Sequence, residues 1–259
     1  MKVVILAGGF GSRITEESRF KPKPMVEIGG KPILVHIMEY FASFGHKEFI
    51  ICAGYKQECI KEYFLNKHVY DSKRAVFTNG SCSTICTADT SDWKVTVVDT
   101  GIDAMTGRRL SLIKDLIAGD EPFFMTYGDG LCDVDLNHLT EMFLDTPEAH
   151  CITTFVKPDS RFGVATIELN GKVTSFREKS SDDTDWINGG YMIMPTIAID
   201  YITGNQSFEQ EPMASLAKDG KLYAYKHTGN WQCMDTMRDK EKLEKEYQTS
   251  HPFWVRNFR

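Results

Sequence analysis

The stretch Val3-Val4-Ile5-Leu6-Ala7-Gly8-Gly9-Phe10-Gly11-Ser12-Arg13 decides how this chain folds. An apolar run without alternation marks a strand buried on both faces, as in a parallel sheet, and the glycines let the backbone leave it in a tight loop. Parallel strands need crossovers, and the sequence supplies them. Pro32 suits a first helical position, Ile33, Leu34, Ile37, Met38, Phe41 and Phe44 follow at helical spacing, and Gly45 closes the run. Phe49 to Ala53 reads as a second buried strand and Glu58 to Leu65 as a second helix. This alternation implies right-handed crossovers and a mainly parallel sheet.

Further along, Lys94 to Asp99 alternates like a strand and Thr106 to Ile117 carries Leu110, Ile113, Leu116 and Ile117 on one helical face. Pro122 to Tyr127 is another buried strand, ending at Gly128-Asp129-Gly130. Residues 66–93 read as a polar loop excursion with one short strand near Ala75 to Thr78. After about residue 150 strands come in pairs: Val164 to Leu169 and Lys172 to Phe176 flank Asn170-Gly171, a strong hairpin signal. Tyr191 to Met194 is one more strand, and Phe208 to Lys218 and Thr236 to Tyr247 read as helices. The expected fold is α/β, a mixed, mainly parallel twisted sheet flanked by helices, with a smaller antiparallel lobe. No linker divides it, so residues 1–259 are expected to form one unit, with a doubly wound half over about 1–150 and a second half over about 151–259.

Composition narrows the functional classes. With 259 residues, 25% charged and 42% hydrophobic, the chain is not disordered and builds its core without a metal or disulfide staple. A net charge of −6 with scattered basic residues argues against a nucleic-acid or anionic-membrane surface. An anionic ligand therefore needs cations placed one by one. The seven cysteines are odd in number and lack a C-x-x-C, so they read as reduced thiols, Cys82 and Cys86 included. No secretory leader and no apolar run of membrane-spanning length is seen, so a cytoplasmic location is expected.

Gly8, Gly9 and Gly11 allow backbone N–H groups to approach a phosphate, and Arg13 adds a permanent charge. The loop is not a dinucleotide fingerprint. Counting from Gly9 and Gly11, the third glycine position holds Ile14, and no G-K-S/T follows any glycine loop, which weighs against a nicotinamide oxidoreductase. Ten residues on, Lys21-Pro22-Lys23-Pro24 is rigid and cationic, and Lys23 is held between two prolines, although a solvated turn reads the same way. Asp129 sits between glycines just past a strand, at the carboxyl edge where ligands bind in such sheets. Asp235 begins a helix and is read either as its N-cap or as a partner of Asp129 around one Mg²⁺, which would complete its shell with water and substrate phosphates. Glu178-Lys179 follows a strand and Asn188-Gly189-Gly190 precedes one, positions suited to a phosphate and a hydroxyl or to ordinary turns.

Taken in order, Leu6-Ala7-Gly8-Gly9-Phe10-Gly11-Ser12-Arg13, Lys21-Pro22-Lys23-Pro24, Gly128-Asp129-Gly130, Glu178-Lys179, Asn188-Gly189-Gly190 and Met234-Asp235-Thr236 resemble the sugar-1-phosphate nucleotidyltransferases. The stretches from Lys23 to Leu34, Val98-Asp99-Thr100-Gly101 and Gln210-Glu211-Pro212-Met213 are similar to the glucose-1-phosphate cytidylyltransferases in particular. That resemblance implies a Rossmann-like fold whose second lobe binds sugar, and the joining of CTP to glucose 1-phosphate to give CDP-glucose for O-antigen deoxysugars. It also implies Mg²⁺ as cofactor and a homo-oligomer, a hexamer. By the same resemblance, Leu6, Ala7, Gly8, Gly9, Phe10, Gly11, Ser12, Arg13, Lys23, Ala104, Arg109 and Gly128 would hold the nucleotide. Arg13, Lys23 and Asp129 would carry the chemistry, Asp129 and Asp235 the metal, and Glu178, Lys179, Asn188 and Gly189 the sugar phosphate. The chain departs from the family pattern at Ala104, where a threonine is usual, and at Arg108, where a glycine is usual. Transfer from another nucleotide or to another sugar phosphate, or a regulator that senses nucleotide without catalysis, are the alternatives.

Overall fold

A computed structural model of the chain describes residues 1–11, 13–70, 72–78, 81–86, 92–119, 121–157, 164–167, 173–177 and 186–256. Its centre is a seven-stranded sheet of β1 (Lys2–Ala7), β2 (Glu48–Ala53), β3 (Lys94–Asp99), β4 (Phe123–Tyr127), β5 (Cys151–Val156), β6 (Ile187–Met194) and β7 (Leu222–His227). In space the order is β7-β5-β6-β4-β1-β2-β3. Neighbours run parallel except that β6 is antiparallel to both β4 and β5. The expected mixed, mainly parallel sheet is therefore present. From β1 the chain winds outward through β2 to β3 and then returns to place β4 on the other side of β1, so a crevice opens beyond the carboxyl ends of β1 and β4.

Helices cover both faces: α1 (Ile33–Ala42), α2 (Gln57–Tyr70), α3 (Thr106–Leu112), α4 (Lys114–Ile117), α5 (Leu136–Leu144), α6 (Glu211–Lys218) and α7 (Met237–Tyr247). The period-two rule sorts β1 between two cores. Val3, Ile5 and Ala7 join the cluster under α1, α5 and α7, while Val4 and Leu6 join the cluster with Leu110, Ile117, Met213 and Leu216 from α3, α4 and α6. The α1 residues read from their spacing, Ile33, Leu34, Ile37, Met38 and Phe41, are all fully buried.

Several elements differ from the sequence reading. The helix expected over Thr106–Ile117 is two, because Ile113 leaves helical geometry at φ −107, ψ 10. Pro32 caps α1 from outside rather than starting it, and α6 begins at Glu211, with Phe208 buried ahead of it. Residues 72–78 and 81–86 form an antiparallel pair where one short strand was expected. Strand β6 starts at Ile187, so Asn188, Gly189 and Gly190 lie within it rather than before it. The hairpin read around Asn170-Gly171 is seen as paired strands Val164–Ile167 and Val173–Arg177, and the turn itself lies outside the described residues. Cys52, Cys59, Cys132, Cys151 and Cys233 are free thiols.

Candidate active site

At the end of β1 the chain turns through Gly8, Gly9 and Gly11, and each glycine answers a different need. A Cβ on Gly8 would stand 2.0 Å from Nη1 of Arg109. Gly11 adopts φ +64 beside Lys23 and Ser18, and its carbonyl accepts from Ser18 Oγ at 2.9 Å. Gly9 faces open space, where a ligand could meet the backbone directly. Phe10 is half-exposed and packs against Tyr55, and Ser12 lies outside the described residues.

Lys23 opens a 3₁₀ turn, Lys23–Met25, shaped by Pro22 and Pro24. Beside it, Gly128 N–H donates to Leu6 O at 3.0 Å, tying the end of β4 to the end of β1, and a Cβ on Gly128 would meet Pro24 Cγ at 2.9 Å. Asp129 follows. A two-stranded antiparallel ladder, Gly130–Cys132 against Trp231–Cys233, with Met234 N–H donating to Asp129 O at 2.8 Å, carries Asp235 to the same place. Residues more than a hundred positions apart thus share one edge.

Their charges interlock. Lys23 Nζ lies 2.5 Å from Asp129 Oδ2 and 2.5 Å from Asp235 Oδ1, and Arg13 Nη1 lies 2.7 Å from Asp235 Oδ2. The Lys23 side chain is only 12% exposed against 74% for Arg13. Burial works against the lysine's charge, but the two carboxylates outweigh it and hold its pKa above the ordinary value. Asp235 is not the N-cap of α7. Thr236 takes that role in a capping box with Asp239, which leaves the Asp235 carboxylate turned to the cations. Two carboxylates from separate segments converging on one positive centre are a donor set that fits Mg²⁺.

Arg109, on α3, is buried, and its guanidinium is spent on oxygens of the chain itself: Thr100 Oγ1 at 2.6 Å, Gly101 O at 2.9 Å, Gly8 O at 3.0 Å and Ala53 O at 3.2 Å. Burial lowers its pKa, partly offset by Cys52 and Asp99. It pins the glycine loop to the ends of β2 and β3. A place at the phosphates would require exchanging these bonds.

The resulting cleft holds about 410 Å³ and is lined by Leu6, Ala7, Gly8, Gly9, Gly11, Arg13, Lys23, Ala104, Arg109, Gly128, Asp129 and Asp235 of the sequence-derived set. Asn188 and Gly189 are not among its lining residues. The Asn188 amide oxygen accepts from Thr153 Oγ1 and Gly190 N–H, both at 2.9 Å, and the Gly189 carbonyl accepts from Trp231 Nε1 at 2.8 Å. Glu178 and Lys179 lie outside the described residues. Sequence reading missed four further lining residues of the cleft, Met105, Thr106, Tyr127 and Ser207. Glu209 bridges two of them, accepting from Thr106 Oγ1 at 2.6 Å and from the Tyr127 hydroxyl. No local pattern marks Glu209, because its partners come from α3 and β4.

The sequence profile of the nucleotidyl transferase family matches residues 2–236. Glucose-1-phosphate cytidylyltransferase of Salmonella typhi is 45% identical over 248 residues, covering 94% of this chain and 95% of the relative. This chain belongs to the nucleotidyl transferase family. Within the family it groups with the glucose-1-phosphate cytidylyltransferases, as the ordered motifs imply, since the probable glucose-1-phosphate cytidylyltransferase of Bacillus subtilis is also 40% identical over 98% of this chain and 99% of the relative. Among solved structures, this nucleotidyltransferase is similar to HddC from Yersinia pseudotuberculosis, with a TM-score of 0.68 and 27% identity over 95% of this chain and 99% of that one. UDP-glucose pyrophosphorylase complexed with UDP-glucose shares the fold at a TM-score of 0.67 and 17% identity, covering 95% of this chain and 97% of that one.

Proposed function

We propose that this nucleotidyltransferase transfers a cytidylyl group from CTP to α-D-glucose 1-phosphate and releases CDP-glucose and pyrophosphate. The observation that carries the reading is the convergence of Lys23, Arg13, Asp129 and Asp235 at the mouth of a glycine-walled cleft at the switch point of the sheet. An oxygen of the sugar phosphate attacks the α-phosphorus, the bond from that phosphorus to the bridging oxygen breaks, and pyrophosphate leaves with the electron pair. Near neutral pH the nucleophile is already an anion, so the chain needs no general base, and its work is positioning and charge stabilisation. The backbone from Leu6 to Gly11 receives the nucleotide, Arg109 keeps that loop rigid through Gly8 O, and Lys23 and Arg13 offset the repulsion between phosphate groups. Asp129 and Asp235 would hold Mg²⁺, which supplies Lewis-acid stabilisation of phosphoryl oxygens when bound. Glu178, Lys179, Asn188 and Gly189 are proposed for the sugar phosphate on sequence grounds.

A cytoplasmic homo-oligomer, a hexamer, serving O-antigen deoxysugar synthesis belongs to the same proposal. Among the described residues no helix is long and apolar enough to cross a membrane, and Leu112, Leu116 and Ile197 on neighbouring elements are exposed apolar side chains that self-association could cover. The test is pyrophosphate release with Mg²⁺ and glucose 1-phosphate, run in parallel with CTP, UTP, dTTP, ATP and GTP. CTP preference is the expected result, and activity only with another nucleotide refutes the base assignment while keeping nucleotidyl transfer.

A further inference from the structure

We infer that Lys23 is a built-in counter-ion that occupies the place of the divalent cation between Asp129 and Asp235 in the free protein, so that metal binding must displace it. The inference rests on reading these two carboxylates as the metal ligands. Two like charges brought together at a partly buried edge repel strongly unless a cation lies between them. Here the cation is the Lys23 ammonium, 2.5 Å from an oxygen of each carboxylate and 12% exposed, and the remaining Asp235 oxygen is taken by Arg13 at 2.7 Å. The four side chains sum to zero charge, with two acidic and two basic groups satisfied by one another. A cation entering between the carboxylates therefore competes with Lys23 for the same oxygens. The same charge count gives the displaced lysine a destination. With the carboxylates neutralised by a dication, Lys23 and Arg13 are left as two uncompensated positive charges at the mouth of the cleft, where a polyphosphate would lie. Metal and polyphosphate are thus coupled through Lys23: each favours the state in which the lysine has left the carboxylates, and by reciprocity each tightens the other.

The competition is measurable without turnover. Mn²⁺ added to the nucleotide-free protein and followed by the loss of its free-ion paramagnetic resonance signal is expected to bind weakly to wild type. Binding should be roughly tenfold or more tighter in Lys23→Met. Arg13→Ala, at an exposed position that leaves folding intact, is expected to give a smaller gain, because Arg13 holds Asp235 alone. In parallel, Mg²⁺ without nucleotide should raise the thermal midpoint of Lys23→Met clearly more than that of wild type, since the variant lacks its internal counter-ion. Should Lys23→Met not fold, the Arg13→Ala titration decides. Equal Mn²⁺ affinity in wild type and both variants overturns the competition and leaves the proposed reaction intact. Absence of Mn²⁺ binding in all three overturns both the competition and the assignment of metal to Asp129 and Asp235.

Discussion

Gly8 carries no side chain because Arg109 stands where one would go. The guanidinium crosses beneath the loop to reach Gly8 O at 3.0 Å and Thr100 Oγ1 at 2.6 Å, and Gly54 is similarly crowded, its added Cβ falling 2.7 Å from Arg109 Nη1. Gly8→Ala should therefore destabilise the protein by roughly 1–3 kcal/mol through overpacking. In an Arg109→Ala background the same change should cost clearly less, a coupling that urea denaturation of the four proteins in a double-mutant cycle would measure. Additive losses would count against the contact. The charged residues support a second expectation. Lys23→Ala and Asp129→Asn should each lower kcat by about 10²–10³, roughly 3–4 kcal/mol of transition-state stabilisation, in protein that remains folded by circular dichroism. Near-normal turnover in Asp129→Asn would remove Asp129 from the chemistry. Lys23 was legible in the sequence because two flanking prolines fix a lysine whatever the fold. The link from Arg109 to Gly8 was not, since it joins positions 101 apart and depends on how α3 packs over β1.

Element boundaries show where local signals suffice and where packing overrides them. The apolar runs of β1, β2 and β4 and the stripe of α1 were legible, because burial on both faces or on one helical face writes itself into the sequence. Strand β5 was not, since its buried positions include Thr153 and Thr154, which imitate solvent-facing residues. Strand β7 lies at the sheet edge with alternating partial exposure and leaves a similarly weak trace. At α7 the sequence left Asp235 open between a helix cap and a metal partner, and the neighbouring Thr236 is a good cap as well. Thr236 wins because Asp239 stands at the third helical position to complete the box, and this frees Asp235 for the cations. Thr236→Ala should consequently lower stability by about 1 kcal/mol, seen as a reduced urea midpoint at unchanged m-value. If the midpoint is unmoved, the cap carries no weight and the placement of Asp235 has another cause.

On the scale of the molecule, two histidines, the buried His36 and the half-buried His46, tie stability to pH. His36, beneath the C-terminal segment, sits between two fixed partners: Trp254 Nε1, which can only donate, lies 3.2 Å from Nδ1, so the ring proton is on Nε2 and is donated to Ile28 O at 2.9 Å. The arrangement requires the neutral ring. Burial lowers its pKa, the nearby Lys31 adds to the effect, and the Ile28 carbonyl, Glu39 and Glu244 oppose it. His46, against the Phe124 ring at 4.8 Å, is pushed down to about 4, chiefly by burial and then by the N-terminal ammonium. For both residues the unfolded chain binds the proton more readily than the folded one. Their stabilising contribution is therefore complete above the unfolded value near 6.5 and is lost as pH falls from there through the lowered folded values. The unfolding free energy should be level between about pH 7 and 8 and decline below about 6.5. His46→Phe should flatten that decline, while Trp254→Phe, which removes the donor to Nδ1, should raise the His36 pKa observed by NMR. A stability curve unchanged from pH 7 to 5, or a His36 resonance titrating at the ordinary value in wild type, would sink the argument. On the proposed function, this acidic chain of net charge −6 meets anionic substrates through a few placed cations, Lys23 and Arg13 among them, while burial holds His36 and His46 neutral near pH 7.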